Sequence, residues 1–313
     1  MTVTGDFDRF FLNLPPFDRE KDFNDFWERS INELKKIPME PAYDGSEKSK
    51  ASFDTHSISY RSFGHTKIQG ELYVPVYTKK PKVIVILPDY NKPNPYARFT
   101  LDDTFAYFFL TLRGHTALPA AAAKEEPKSP GFMIENIIDI ESYYLRGIYL
   151  DAYRALDMLR LNTKLDCSAM GMLGKGLGSA AAVFAAATSG RIGSLVLDTP
   201  SFCHLSLSQN ISCSDGSNEI NAFLDMHRNK KKLIKKNLTY FDALNFSDNI
   251  KCATLVTVGF RDSYSPPQCV FALFNHLLCE KTVEVYPDDG NDAGGETQFK
   301  KTLQWFKDTL LSA

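Results

Sequence analysis

The chain has 313 residues, of which 43% are hydrophobic, so it can bury the core of one large α/β domain or of two smaller ones. Its 36 basic and 38 acidic residues leave a net charge of −2, which gives no support for binding to nucleic acid or to an anionic membrane.

The start of the chain and its cysteines both indicate a cytoplasmic protein. The first residues lack the basic and apolar segments of a signal peptide, and no apolar run approaches the roughly 20 residues of a membrane span. None of the six cysteines forms a C-x-x-C motif, and several fall in apolar patterns, which favours reduced thiols in the core. No His, Cys and Asp cluster has the spacing of metal ligands, so we expect neither a metal nor a cofactor.

In chain order, the first predicted element is a helix over residues 22–34, where apolar residues recur at helical spacing. It belongs to an expected N-terminal arm over residues 1–45. Residues 55–75 alternate in polarity on either side of Phe63-Gly64-His65, which predicts an antiparallel hairpin. The continuous apolar run at 82–87 is typical of a central strand buried on both faces.

Further elements follow from the same reading. The first half continues with a helix over 99–112, a short strand at 115–118, a loop to residue 130 and a long helix over about 139–161. A strand at 192–198 precedes a looser stretch over about 200–247, which we interpret as a cap-like insertion whose basic run, 227–236, is a solvated helix face. The closing elements are a strand at 252–258, a helix over 267–278, a strand at 282–286 and a helix over 297–311.

Strands thus alternate with helices after an antiparallel start. This order predicts an α/β fold with a mostly parallel central sheet and helices on both faces, as one domain over residues 1–313. Ligands in such folds bind beyond the carboxyl ends of the strands. Tyr90, Asp262 and the loop at 286–292 all lie at such ends.

Residues 166–187 read as a strand, a glycine-dense turn and an alanine-rich helix. In α/β-hydrolases this arrangement is the nucleophile elbow, with the pattern G-x-S-x-G. The flanking glycines are needed because the strained turn leaves no room for Cβ atoms. Here the frame is Gly174-Lys175-Gly176-Leu177-Gly178, so both flanking glycines are present and Gly176 stands at the nucleophile position.

Several longer segments extend the match along nearly the whole chain. They are Asp25-Phe-Trp27, the stretches at 60–70 and 143–156, Glu219-Ile-Asn221, Leu238-Thr-Tyr-Phe-Asp242, Gly259-Phe-Arg-Asp262 and the stretch at 266–277. In these segments the chain resembles the acetyl xylan esterase/cephalosporin C deacetylase family. The resemblance implies an α/β-hydrolase fold, serine-based deacetylation of small acetylated sugars and a ring-like homohexamer.

The departures from the family pattern fall on the reacting groups. The family's elbow reads G-G-S-Q-G-G, and here Gly176 replaces the serine and Leu177 the glutamine. Asn291 stands where the family's Y-x-x-x-G-H-E segment has its histidine, whereas the triad acid is kept as Asp262.

Near these groups, Tyr90 matches the family's oxyanion tyrosine, although Asp89 stands where the family has a glycine. The family's R-G-Q stretch has become the alanines at 120–123, in a loop shortened by roughly ten residues. Phe132 aligns with the family's tryptophan.

Acyl transfer by this route needs a nucleophile and a base that takes its proton. Glycine has no side chain to attack, and an asparagine amide accepts no proton near neutral pH. Ser179 as a replacement nucleophile and His276 as a replacement base both fit poorly. Ser179 should lie inside the helix, and His276 lies in a helical segment that the family shares. A dinucleotide loop at Gly174-x-Gly176-x-x-Ser179, with Asp198 as the ribose-binding acid, is weaker because its third glycine is missing.

The sequence therefore predicts an esterase homologue that has lost serine catalysis. Two readings of its site stay open: the N–H groups of Leu177 and Tyr90 bind a small acyl or carboxylate ligand at a helix N-terminus, or the pocket has collapsed into a structural role. The alternatives from other classes are an active carboxylesterase that uses atypical residues and a non-catalytic subunit that partners an active paralogue.

Overall fold

The structure, a computed structural model, describes residues 4–50, 52–92, 94–115 and 131–311. Within these residues a nine-stranded sheet has the order β1-β2-β3-β5-β4-β6-β7-β8-β9. The strands are β1 (Ala42–Lys50), β2 (Phe53–Arg61), β3 (Lys67–Pro75), β4 (Lys82–Leu87), β5 (Phe105–Leu110), β6 (Asp166–Lys175), β7 (Ile192–Asp198), β8 (Ala253–Gly259) and β9 (Lys281–Tyr286).

The sheet is antiparallel at one side and parallel through the rest. β1, β2, β3 and β5 pair antiparallel in turn, whereas β5, β4, β6, β7, β8 and β9 form a continuous parallel series. The predicted hairpin is confirmed, with Tyr60 opposite Ile68 across β2 and β3. The parallel series brings the carboxyl ends of β4, β6, β7 and β8 to one edge, where the site predicted from the sequence lies.

Helices cover both faces of the sheet, as predicted. They are α1 (Thr4–Phe11), α2 (Phe23–Lys36), α3 (Tyr144–Leu159), α4 (Leu177–Ser189), α5 (Leu205–Ile211), α6 (Asp215–Met226), α7 (Lys231–Thr239), α8 (Pro267–His276) and α9 (Gly295–Phe306). Among the described residues no helix combines the length and the apolar character needed to cross a membrane.

β4 shows why its sequence is apolar throughout. Val83, Val85 and Leu87 pack into the larger core, beneath α3, α4 and α8, whereas Ile84 and Ile86 pack into a second core on the opposite face, beneath α9. Successive side chains of a strand point to opposite faces, so a strand covered on both sides has no polar positions to alternate with.

The predicted helix over 99–112 is wrong, because its middle part, residues 105–110, forms β5. Phe105, Tyr107 and Phe109 enter the second core, and the residues between them enter the larger one. A short apolar run with two buried faces gives the same sequence signal as a buried helix, and its aromatic content favours the strand. Of the strand predicted at 115–118 and the loop after it, residues 116–130 lie outside the described residues.

The regions predicted as an arm and a cap pack on each other. Trp27 of α2 is 3% exposed, and its indole N–H donates to the Tyr240 carbonyl oxygen at 2.9 Å. α5, α6 and α7 lie between β7 and β8, and the lysines of α7 at 231, 232, 235 and 236 are exposed, as expected for a solvated face. All six cysteines are free, with Cys203 and Cys269 buried.

An ion pair with little exposure to solvent fixes the end of β5 to α3. Arg113 donates from Nε and Nη2 to the two carboxylate oxygens of Asp151, both at 2.7 Å. The guanidinium lies flat against α3, since a Cβ at Gly147 would come within 2.1 Å of its Cζ. The Arg113 carbonyl oxygen in turn accepts from the Tyr144 hydroxyl and contacts His115, both of which border the site.

We predict that Arg113→Met lowers the free energy of unfolding by about 3–5 kcal/mol, because it leaves the Asp151 carboxylate buried without its partner. The matched control is Arg261→Met, which breaks the exposed pair with Asp288 and should change stability by at most about 1 kcal/mol. Urea unfolding followed by circular dichroism measures both. Equal effects of the two substitutions would contradict the role given to the buried pair.

Candidate active site

The strand–turn–helix at 166–189 has the geometry of a nucleophile elbow. β6 ends at Lys175, Gly176 has φ 52° and ψ −118°, and α4 begins at Leu177. The flanking glycines are required by close approach: a Cβ at Gly178 would lie 2.4 Å from the Leu87 carbonyl oxygen, and one at Gly174 would lie 2.5 Å from the Gly178 oxygen. The sharp turn of an elbow is therefore present, with glycine at the position where α/β-hydrolases carry the nucleophile.

The Asp89 carboxylate occupies the space above Gly176. Its Oδ1 accepts hydrogen bonds from the backbone N–H groups of Tyr90 and Leu177, both at 2.8 Å. A Cβ built on Gly176 would lie only 2.0 Å from the same oxygen. The two N–H groups predicted to hold a ligand oxygen thus hold an oxygen of the chain itself, in the place where a nucleophilic side chain would stand.

Opposing influences act on the Asp89 carboxyl group. Burial raises its pKa from the usual 3.8, while the two N–H donors and the charge of Lys175 lower it and the charge of Asp262 raises it. The pKa of Asp89 lies above the usual value as the net result, because loss of hydration is the largest of these effects. Leu177 opens α4, so the helix N-terminus also favours negative charge at this point.

Asn291 and Asp262, the residues that the sequence places at the base and acid positions of a triad, lie in contact. Asn291 Nδ2 donates to Asp262 Oδ2 at 3.4 Å and to Thr199 Oγ1 at 3.3 Å. Asp262 Oδ1 also accepts from the backbone N–H groups of Tyr264 and Ser265, so the carboxylate holds its own turn as well as the amide. The two side chains are in contact as the acid and base of a triad would be, but the Asn291 amide accepts no proton near neutral pH.

Lys175 turns away from the pocket into a buried polar cluster. Its Nζ lies 3.2 Å from Asp198 Oδ2 and donates to the Asn291 carbonyl oxygen at 2.8 Å. The Asp198 carboxylate also accepts from the Tyr96 and Thr257 hydroxyls. These bonds occupy the carboxylate that a dinucleotide site would need for a ribose, so the structure does not support that interpretation.

Tyr90 connects the pocket to the cap. Its hydroxyl donates to the carboxylate of Glu219 on α6, with 3.0 Å to each oxygen, and the Met133 N–H donates to the same carboxylate. The Tyr90 ring packs edge-on against His115 at 5.5 Å. Phe132, the residue aligned with the family's tryptophan, stacks on Tyr144 at 5.4 Å.

The residues weighed as stand-ins have structural roles. Ser179 is fully buried inside α4 and donates to the Gly174 carbonyl oxygen at 2.6 Å. His276, at the end of α8, contacts the Pro15 carbonyl oxygen at 2.7 Å and packs on Phe17 of the arm. Within the described residues no group of three or more His, Cys, Asp or Glu side chains could hold a metal ion.

Sequence reasoning missed two features of the site. It noted Asp89 only as a replaced glycine, although the paired loss of a side chain at 176 and gain of one at 89 was a usable signal. It did not anticipate that Glu219 would hold the Tyr90 hydroxyl, because that contact depends on how the cap folds back over the sheet.

The sheet, the elbow and the order of the site residues define an α/β-hydrolase. The family model for acetyl xylan esterase (AXE1) matches residues 15–309, and the chain belongs to this family. The acetyl esterase Axe7A of Xylanibacter ruminicola is 21% identical over 305 residues, which cover 94% of this chain and 68% of that protein.

Two solved structures share the fold along nearly the whole chain. The acetyl xylan esterase from Paenibacillus sp. R4 superposes with a TM-score of 0.84 at 25% identity, covering 98% of this chain and 99% of the other. Acetyl xylan esterase 1 from Thermoanaerobacterium sp. JW/SL YS485 gives a TM-score of 0.83 at 18% identity, covering 99% of each chain, and this likeness shows the fold alone.

We predict that Asp89→Ala lowers the free energy of unfolding by about 1–3 kcal/mol, because it leaves the N–H groups of Tyr90 and Leu177 without an acceptor. Asp89→Asn should cost less, since its amide oxygen can accept from both groups. Urea unfolding of the three proteins at pH 7 measures the difference. An Asp89→Ala protein as stable as the wild type would contradict this assignment.

The raised pKa of Asp89 also predicts the direction of a pH effect. The folded protein binds a proton at Asp89 more tightly than the unfolded chain does, where the carboxyl titrates near its usual 3.8. The wild type therefore loses stability as pH rises from 3.8 through the raised pKa, and the loss stops above it. Asp89→Asn cannot titrate, so its stability relative to the wild type should rise over that window and then stay constant.

Proposed function

We propose that this acetyl xylan esterase family member does not hydrolyse esters by the serine route and that its acyl site is closed by its own side chain. The observation that carries the proposal is the position of Asp89 Oδ1, which accepts from the Tyr90 and Leu177 N–H groups and fills the space above Gly176. In family members that hydrolyse esters, such N–H groups would bind the developing oxyanion.

Three separate losses support the same conclusion. Gly176 offers no nucleophile. Asn291, at the position of the base that Asp262 would orient, accepts no proton. Asp89 places a carboxylate where the oxyanion of a tetrahedral intermediate would form, so the ester would meet steric hindrance there and the oxyanion would meet like charge. Restoring one of these features should leave the other two obstacles to hydrolysis in place.

The role that the site supports best is a non-catalytic one in which the fold serves as a scaffold. Binding of a small acyl or carboxylate ligand is the second candidate, and it requires that ligand to displace Asp89 from its two donors. The homohexamer and the cytoplasmic location implied by the sequence remain part of this proposal. Size-exclusion chromatography with light scattering tests the assembly.

The first experiment is hydrolysis of p-nitrophenyl acetate by the purified protein beside its Asp262→Ala variant. We expect both rates to lie at the buffer background, and we expect no labelling of the protein by a serine-directed fluorophosphonate. Turnover that Asp262→Ala abolishes would overturn the proposal in favour of an active carboxylesterase. Asp89→Asn extends the test, because turnover lost in that variant would assign the nucleophile to the Asp89 carboxylate.

A restoration series tests the same proposal in the opposite direction. Gly176→Ser alone should give no gain, because the new side chain collides with Asp89 and has no base. The triple variant Asp89→Gly/Gly176→Ser/Asn291→His restores room, nucleophile and base together, and we expect at least about a 10²-fold rise in p-nitrophenyl acetate hydrolysis. The matched control replaces the serine of that variant with alanine. A comparable rise in Gly176→Ser alone would show that Asp89 does not close the site.

A further inference from the structure

Two cysteines lie side by side at the start of β8 and β9. Cys252 comes just before β8 and Cys279 just before β9. The parallel register pairs Thr254 with Lys281, so the two cysteines, each two residues earlier, lie level with each other. Both pack against the larger core, on the same face of the sheet, and both are partly exposed. We call Cys252 and Cys279 the dithiol.

The hydroxyl group of Thr254 connects the two thiols. Its Oγ1 lies 3.5 Å from Cys279 Sγ and donates to the Cys252 carbonyl oxygen at 3.0 Å. The Cys252 thiol forms a hydrogen bond with the same hydroxyl. Neighbouring strands lie about 4.7–4.9 Å apart, within the roughly 4.4–6.8 Å that separates the Cα atoms of a disulfide. Since both cysteines precede the paired strands, their backbone can adjust to bring the sulfur atoms together.

The surroundings of the two thiols make them unequal. Burial, and after it the charge of Cys279, raise the pKa of the Cys252 thiol to about 12. Near Cys279 lies Lys281, whose Nζ donates to three carbonyl oxygens at the end of α8. Burial lowers the pKa of Lys281 and the charge of Cys279 raises it, so a Cys279 thiolate and the ammonium group attract each other. Cys279 is therefore the thiol that reacts first.

Another close pair of cysteines shows why access matters. Cys203 Sγ donates to the Cys269 carbonyl oxygen at 3.4 Å, and the two residues are 0% and 1% exposed. A reagent in solution cannot reach these sulfur atoms in the folded chain. The dithiol has both the proximity and the access to solvent that a reversible reaction requires.

We propose that the dithiol is a redox modification site, oxidised by small disulfides of the glutathione class and reduced again by thiols. The Cys279 thiolate attacks one sulfur of glutathione disulfide, and the first glutathione leaves as a thiolate that takes up the proton lost by Cys279. Cys252 then loses its proton and attacks the Cys279 sulfur of the mixed disulfide, so the second glutathione leaves and takes up that proton. The chain gains one disulfide while glutathione disulfide is reduced to two thiols, so atoms and electrons balance.

The order of the two steps follows from the charges. The mixed disulfide carries no charge on Cys279, so it removes one of the causes that raise the pKa of Cys252. The product then links β8 to β9, which is the last strand at its edge of the sheet. An edge strand is held by one neighbour only, so the new bond should restrict its local opening.

The test uses the full chain, incubated with glutathione disulfide, alkylated in acid-quenched samples and mapped by peptide mass spectrometry. We expect a disulfide between Cys252 and Cys279 that dithiothreitol reverses. Hydrogen exchange of the β9 amides should be slower in the oxidised protein than in the reduced one. The exposed thiol of Cys213 reports in the same samples that the reagent is active.

Single variants separate the two steps. Cys252→Ser should accumulate glutathione on Cys279, because no second thiol releases it. Cys279→Ser should slow modification of Cys252 at least about tenfold relative to that of Cys279 in Cys252→Ser. The matched control is Cys167→Ser, which removes another partly exposed cysteine and should form the disulfide as the wild type does. Mapping of the wild type needs no variant, so the test stands even if one of them fails to fold.

Three results would overturn the proposal. In the first, glutathione modifies Cys213 of the wild type while Cys252 and Cys279 stay unlinked. In the second, Cys203 and Cys269 are oxidised to the same extent, which would show that unfolding exposes the thiols. In the third, a glutathione adduct persists on Cys279 of the wild type. None of them bears on the proposed function, since the dithiol lies at the amino ends of its strands and the acyl site at the carboxyl ends.

Discussion

The site depends on one oxygen atom, Asp89 Oδ1, held by two backbone N–H groups at 2.8 Å. Those donors come from different parts of the fold, one from the segment after β4 and the other from the first residue of α4. A free pair of buried N–H groups is unfavourable, and in an esterase water or substrate satisfies them. Here a carboxylate from the chain does so, which is compatible only with a residue at 176 that has no Cβ.

Around this oxygen the backbone takes uncommon conformations. Gly176, Asn91 and Thr199 all have positive φ angles at the carboxyl edge of the sheet. Strain of this kind persists only where the surroundings enforce it. Lys175 contributes to that enforcement, because its ammonium group binds the end of β7 through Asp198 and the loop at 286–292 through the Asn291 carbonyl oxygen. These bonds hold the frame of the site without any side chain at 176.

The sequence was informative where a local rule decides the structure. Glycine spacing located the elbow, period-two alternation located the hairpin, and the unbroken apolar run located β4. The same kind of run misled at β5, since a strand with two buried faces has no period to distinguish it from a buried helix. The contacts of the Asp89 and Lys175 side chains could not be predicted from spacing, because each side chain could point either into the pocket or away from it. Which one it takes depends on partners up to 116 residues away.

The cap shows how one helix serves two places. Glu219 of α6 holds the Tyr90 hydroxyl beside the acyl site, and Leu224 of the same helix lines a cavity between α5, α6, α7 and the arm. Five residues turn an α-helix by about 500°, so these side chains point about 140° apart, toward opposite sides of the helix. Asn221, between them, fixes the backbone of Gln209. The position of α6 therefore affects the geometry of both the acyl site and this cavity, although the two share no side chain.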